Sequence, residues 1–365
     1  MASPRLEEFR RHLTPRLTRG VLGATHATER TTLPRTGNHR ILICRTVHTL
    51  GDSLMLTPLL DELANIYPGA EMDVISGYPS AAALYGFHPN VRCVFCLPAH
   101  VPGHPLGTLR ALRSMRQKHY DLAIDPDPRS QSGRLLTLYA IATRKLGYLG
   151  PNKGGALSHG VDVSDAPSHR AMEGVYLLRT ALGEDAMLRK YPRPSLWLTA
   201  EERERGRQRL AHVCGVHNAA DHLPRIGIFA NATRDKSLGL DWWRQFLAAF
   251  ESRALQHCMV EILPAFGRSL LEDRYPGFYC SDVRELAAML ANLSLYISAD
   301  CGVMHLAWAT GVPTIGLFNA TEPAEWGPWG GHNRALDLHG TTPEQVAVGA
   351  VKVLDAAMKA LHPSA

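Results

Sequence analysis

Residues 296–318 read YISADCGVMHLAWATGVPTIGLF. An apolar run ends on Asp300, Cys301 and Gly302; a short helical stretch follows, closes at Gly311 with Pro313 just beyond, and yields to a second apolar run. Short apolar runs bounded by turn residues and separated by a helix spell a strand–helix–strand unit whose strands are parallel and covered on both faces. In such sheets ligands gather beyond the carboxyl ends of the strands. Asp300 stands at one of those ends. Gly302 permits a tight turn there, and the helix from about Val303 turns free N–H groups and a positive partial charge toward the same place. The helix end suits an anion, whereas the acidic Asp300 suits hydroxyl donors. The unit therefore fits a ligand with both, such as a sugar nucleotide; a capping role for Asp300 is the plain alternative.

The same alternation extends through the second half. The strands RIGIFAN and CMVEILPA are separated by the helix LDWWRQFLAAFESRA, DVRELAAMLAN forms the next helix, and TPEQVAVGAVKVLDAAMKALH closes the chain. The first half repeats the pattern. The strand RILICR leads through TVHTLGD into one helix, SLMLTPLLDELANIYPG; the strands EMDVISG, VRCVFCL and DLAIDPD follow, with helices LGTLRALRSMRQKHY and SGRLLTLYAIATR. The stretch 147–169 reads as loop, RAMEGVYLLRTALG as helix and LRKYPRPSLWL as an extended linker. Thr199 and Glu202 form a T-x-x-E capping box for the next helix. The expected fold class is α/β, with two doubly wound parallel-sheet domains: an extension at 1–37, a first domain at 38–195 and a second at 196–365. Two such domains facing across a cleft would place the chemistry between strand ends.

Composition sets the outer limits. A chain of 365 residues exceeds one ordinary core, and 45% apolar with 20% charged residues is ordinary for a globular protein. No apolar run reaches the roughly 18 to 20 residues of a spanning helix, and the N-terminus lacks a signal-type apolar core, so a cytoplasmic protein is expected. Seven scattered cysteines fit free thiols better than a disulfide framework. The net charge of +5 is small and no aromatic-basic motif appears, which argues against nucleic acid. Several arginines lie within the first 40 residues: a solvated tail, or peripheral contact with an anionic membrane.

Other strand ends carry candidate chemistry. Asp52 follows RILICR and reads either as an N-cap or as a general base. TLGDSLML lacks G-x-G-x-x-G, which sets a nicotinamide site aside. Asn231, Thr233, Arg234 and Lys236, in NATRDK after RIGIFA, form a donor cluster suited to phosphate oxygens, with a polar surface loop as the alternative. His48, Asp125 and Arg129 are candidates for the acceptor side; the alternative is a plain loop histidine for His48 and a local ion pair for the other two. Cys93 and Cys96 read as core thiols, because no second pair stands nearby to complete a metal site. Trp326 and Trp329 read as packing.

Three segments, RTVHTLGDSLMLTPLLDELANIYPGAEMDVI, NATRDK and SADCGVMHLAWATGVPTIGLFNATEPAEWGP, together resemble glycosyltransferase family 9, the bacterial heptosyltransferases of lipopolysaccharide core assembly. The likeness runs in order from about residue 40 to 330. The resemblance implies the GT-B fold, with two Rossmann-like domains, an inverting reaction and no required metal or other cofactor, and ADP-heptose as donor. It implies that Asp52 is the base that deprotonates the acceptor hydroxyl and that Lys236 neutralises the diphosphate. It places a phosphate-binding hydroxyl at Thr233, a nucleotide-sugar clasp at Asp300, Gly302 and His305, and a ribose-binding carboxylate at Glu272.

The sequence departs from the family pattern in three places. Cys301 stands where Thr or Ser is usual, and a thiol is the weaker donor; the loop before Lys236 is one residue shorter; and FNATEP replaces F-G-P-T-x-P. These changes bear on donor identity more than on reaction class. Cys301, Asn231 and Arg234 complete the expected donor-binding set, and an anionic saccharide or lipid-linked acceptor is the expected partner. Two alternatives stay open: a GT-B transferase with another sugar nucleotide or a protein acceptor, and a non-catalytic sugar-nucleotide-binding relative.

Overall fold

The computed structural model describes residues 32–98, 105–150, 153, 157–215, 223–254 and 256–361. Most of the expected extension, 1–31, lies outside them. The contacts divide the chain into two compact units between Pro192 and Arg193.

The first unit runs β1 (Arg40–Arg45), α1 (Leu50–Leu54), α2 (Thr57–Ile66), β2 (Glu71–Ser76), α3 (Ala81–Tyr85), β3 (Val91–Cys96), α4 (Pro105–Arg116), β4 (Tyr120–Asp125), α5 (Gln131–Tyr139), β5 (Ala142–Leu149), β6 (His159–Asp162) and α6 (Arg170–Ala181). Its six strands pair in parallel in the order β3-β2-β1-β4-β5-β6. Ile41, Leu42, Ile43 and Cys44 are all fully buried, as an unbroken apolar run in a doubly covered sheet requires. On one face Leu42, Cys44, Ile75 and Phe95 pack with Met115 of α4 and Leu136 of α5. Helices α2 and α6 pack together and share a buried ion pair, Arg179 Nε to Glu62 Oε1 at 2.7 Å. Leu33 of the expected extension is buried, and its N–H donates to Ala181 O at 2.7 Å, so this residue packs against the first unit.

The second unit runs α7 (Ala200–Val213), β7 (Arg225–Phe229), α8 (Leu240–Glu251), β8 (Cys258–Ile262), β9 (Gly277–Phe278), α9 (Val283–Leu290), β10 (Leu295–Ala299), α10 (Gly302–Thr310), β11 (Thr314–Phe318), α11 (Pro323–Trp326), β12 (Arg334–Asp337) and α12 (Pro343–Leu361). Its parallel order is β12-β11-β10-β7-β8-β9. Counted from the first strand of each unit, both sheets have the same 3-2-1-4-5-6 order. The duplication that the sequence shows only as an alternation is therefore a duplication of topology. In each sheet the order reverses between the first and fourth strands, β1/β4 and β7/β10, and the connections there part to leave a crevice at the carboxyl ends.

Helix α7 begins with the expected capping box: Glu202 N donates to Thr199 Oγ1 at 3.2 Å, and Thr199 N to Glu202 Oε2 at 2.9 Å. Glu202 also takes Arg284 of α9 bidentately, both bonds at 2.6 Å. Gly206 lets α7 and α9 touch backbone to backbone; a Cβ there would lie 2.0 Å from Ala288 O. Trp243, Phe246 and Phe250 of α8 fill the core beneath α12.

The structure corrects several sequence readings. The helix expected over 53–69 is two, because Pro58 has no N–H and its ring clashes with the preceding turn. The helix expected through Arg144 stops at Tyr139, and Ala142–Leu149 is a strand paired with β4. Part of the stretch expected as loop belongs to β5 and β6. The short elements α3, β9, α11 and β12 have no periodicity long enough to read. Cys96 is exposed and Cys93 only half-buried, so VRCVFCL does not bury both thiols. Among the described residues no helix is long and apolar enough to cross a membrane.

Candidate active site

In the second unit the crevice between β7 and β10 is built from three strand ends. β10 delivers Asp300, which is 2% exposed. The loop after β7 ends in a 3₁₀ turn, Arg234–Lys236, and Lys236 Nζ donates to Asp300 Oδ2 at 2.6 Å. The loop after β11 delivers Thr321, whose Oγ1 donates to the same oxygen at 2.5 Å. His305, one turn into α10, sets Nε2 3.7 Å from Asp300 Oδ1. Asn319 Nδ2 donates to Asp235 O at 2.9 Å, which ties the β11 loop to the β7 loop across β10. One buried carboxylate thus gathers a cation, a hydroxyl and an imidazole beside the N-terminus of α10, a helix that ends in left-handed Gly311 (φ +91). Cations and helix N–H groups suit anionic oxygens; a carboxylate suits hydroxyls.

The remaining residues expected here divide. Asn231 is half-buried, and its Nδ2 has no partner among the described residues. Thr233 is exposed on the same loop. The Arg234 side chain lies outside the described residues. Gly302 opens α10 with Cys301 at its N-cap, where the thiol makes no capping bond and sits 3.4 Å from Ser298 Oγ. Burial pushes the Cys301 thiol up, against the pull of Ser298. Glu272 is exposed and takes Arg244 of α8 at 2.7 Å; it makes no hydrogen bond to the Asp300 group. It lies with Asp273 in left-handed backbone, an uncommon pair for non-glycine residues. The buried Glu261 at the end of β8 organises that loop through Ser269 Oγ at 2.5 Å and Leu270 N at 3.2 Å.

Thr321, Asn319 and Glu261 escaped the sequence reading. An acid inside the apolar run CMVEI was the available signal for Glu261. Thr321 and Asn319 lie in the departing FNATEP segment.

In the first unit Asp52 sits within α1 and is not its cap. Thr49 is the N-cap; it accepts from Asp52 N at 3.2 Å and donates to Asp52 Oδ2 at 2.6 Å. This leaves Asp52 half-buried, with its second carboxylate oxygen available at the helix start. His48 is occupied through Nδ1, which is 2.8 Å from Gly77 O. Arg129 grips Glu173 bidentately at 2.6 and 2.7 Å. Burial opposes the Arg129 charge, but Glu173, Asp127 and Asp52 together hold it above its ordinary value, so Asp52 is within its electrostatic reach.

Asp125 is a correction. It is fully buried and faces inward, held by Arg134 Nε at 3.0 Å and Lys153 Nζ at 2.7 Å, so its carboxylate is not presented to an acceptor. Burial pushes Asp125 up and pushes Lys153 and Arg134 down. Among the described residues no group of three or more His, Cys, Asp or Glu side chains is placed to hold a metal ion.

Two parallel six-stranded sheets, each with polar residues converging at its switch point, make a GT-B fold. The family model described as glycosyltransferase family 9 (heptosyltransferase) matches residues 281–353, the segment that carries Asp300, His305 and Thr321. Lipopolysaccharide heptosyltransferase 3 of Escherichia coli K12 is 23% identical over 299 residues, 76% of this chain and 82% of the relative. The crystal structure of a family 9 glycosyltransferase from Veillonella parvula superposes with a TM-score of 0.74 at 18% identity, covering 88% of this chain and 99% of that one. The Escherichia coli heptosyltransferase WaaC with ADP gives 0.63 at 17% identity, over 87% and 99%. Over residues 281–353 the chain is thus similar to glycosyltransferase family 9, and over 299 residues to a lipopolysaccharide heptosyltransferase.

Proposed function

We propose that the protein transfers a heptosyl group from ADP-heptose, with inversion, to a hydroxyl of an anionic lipopolysaccharide core-type acceptor. The observation that carries this reading is the convergence of Lys236 and Thr321 on the buried Asp300 carboxylate at the mouth of α10. Glycosyl transfer develops positive charge on the sugar ring and negative charge on the departing diphosphate. Lys236 and the α10 N–H groups answer the diphosphate, with Thr233 and Asn231 as further donors. Asp300 accepts hydrogen bonds from sugar hydroxyls. Asp52 takes the acceptor proton; its hydrogen bond from Thr49 orients the carboxylate while one oxygen stays available as base. WaaC, with which this chain shares its fold, was captured with ADP.

Calorimetry with ADP, ADP-heptose, UDP and GDP tests the donor. ADP binding that weakens by about 1.5–3 kcal/mol in Lys236→Ala is expected, as for loss of a charge-assisted contact. Asp52→Asn is expected to slow transfer by roughly 10²–10⁴-fold while ADP affinity holds. Preference for UDP or GDP would discard the heptosyl reading and keep the fold.

A further inference from the structure

Helix α4 presents an unusual outer face. Leu106 and Leu109 are 80% and 62% exposed. Arg110 and Arg113 share their side of the helix at spacings of three, four and seven, and exposed Arg116 flanks it. The inward side is Thr108 and Met115, which are buried. A helix that covers a parallel sheet normally turns polar residues outward, and among the described residues none covers these two leucines.

The apolar surface continues. Between α4 and α5 lies an open groove of ≈ 450 Å³, lined by Leu112, Leu135, Leu136, Leu138, Tyr139 and Arg116. The Arg116 guanidinium lies 4.4 Å over the Tyr139 ring. Tyr139 and Ile141 are themselves exposed.

Charge singles this face out further. No Asp or Glu occurs from 97 to 119 or from 128 to 161, although the whole chain has 34 acids against 39 Lys and Arg. Those two stretches supply α4, α5 and β5. Arg110 and Arg113 form no ion pair with any described residue. Lys145 on β5 donates to Leu138 O at 2.6 Å; burial first, then the Arg116 charge, pushes it down. Exposed leucines and an exposed tyrosine, beside two arginines without an ion pair among the described residues and on stretches that hold no acid, match the chemistry of an interfacial helix.

We infer that this face of the first unit docks on an anionic lipid bilayer. Leu106 and Leu109 enter the headgroup region, and Arg110, Arg113 and Arg116 meet lipid phosphates. The inference concerns where the enzyme works, and its test needs no turnover.

The full chain is sedimented with vesicles of phosphatidylcholine alone and with about 30% phosphatidylglycerol, at low and high salt. Binding is expected only with the anionic lipid, and to fall with salt. Arg110→Ser and Arg113→Ser are each expected to weaken it about fivefold. The double variant Leu106→Ser/Leu109→Ser is expected to weaken it and to keep the wild-type melting temperature, since both side chains are exposed. Equal binding to neutral vesicles, or unchanged binding in all these variants, would overturn the inference. So would loss of binding on deletion of residues 1–31 with the variants unaffected, which would move the contact to the Arg-rich N-terminal segment.

Discussion

Replacing Asp300 by Asn is expected to tighten ADP binding, even though it alters the centre of the proposed donor site. Lys236 Nζ rests 2.6 Å from Asp300 Oδ2. If that ammonium group neutralises the diphosphate, the nucleotide and Asp300 compete for it. A hydrogen bond to a charged group contributes about 1.5–3 kcal/mol when sheltered. The Lys236 side chain is 33% exposed, so water screens the pair and the lower end applies. Release of the competitor then contributes about 1–1.5 kcal/mol, a five- to twelvefold tighter Kd for ADP. Asn preserves the volume and still accepts from Thr321. ADP-heptose behaves differently: the variant gains the freed ammonium but loses the carboxylate that its sugar hydroxyls address, and these contributions are of similar size. The assay is calorimetry of both ligands on Asp300→Asn and Lys236→Met, with melting curves to confirm folding. If Asp300→Asn weakened ADP as much as Lys236→Met, Asp300 would be holding Lys236 in place for the nucleotide, and the competition argument would be wrong.

Two further expectations concern the contact between α7 and α9. Arg284→Met strips a bidentate partner from Glu202, whose side chain is 10% exposed, and is expected to cost about 3 kcal/mol. Arg284 is the main cause of the lowered Glu202 carboxyl pKa, so its stabilisation is complete above the ordinary value of 4.5 and is lost as pH falls through the folded value. The gap in Tm between wild type and variant is thus expected to be widest near neutrality and to shrink below about pH 4.5; a constant gap would contradict the linkage. Gly206→Ala forces a Cβ against Ala288 O and is expected to destabilise by about 3 kcal/mol. Gly349→Ala, with nothing within 4 Å, is expected to stabilise by about 0.5–1 kcal/mol; denaturant melts of both check the contrast.

The central strands were legible because they are buried on both faces: RILICR has an unbroken apolar centre, and LSLYISAD is broken before Asp300 only by the small Ser294 and Ser298, a pattern that little else produces. The neighbourhood of Lys236, Asp300 and His305 was legible for a related reason, since strand ends in a parallel sheet point the same way. Strand β5 was not. Its sequence, ATRKLGYL, contains good helix formers and only half-buried or exposed positions at its start, and its pairing with β4 overrides that local preference. The partners of Asp125 were hidden because Lys153 arrives from a distant loop, which no local spacing announces. Thr321 was hidden because its reach to Asp300 depends on the β10–β11 register, where Ala299 stands beside Leu317.

The strand order has a consequence for biosynthesis. In each unit the strand that emerges first from the ribosome waits for the fourth to complete its pairing: Ile41 pairs with Leu122, and Ile226 with Leu295. Such long sequence separation makes folding slow relative to helical or hairpin-rich domains. Meanwhile β1 and β7 each keep one hydrogen-bonding edge open beside an apolar run, a state prone to association with other nascent chains. Chaperone demand during expression is therefore expected to peak twice, before Tyr120–Asp125 and before Leu295–Ala299 leave the exit tunnel. A chain truncated just upstream of either strand is expected to aggregate, where one truncated just downstream of β6 retains a closed first sheet.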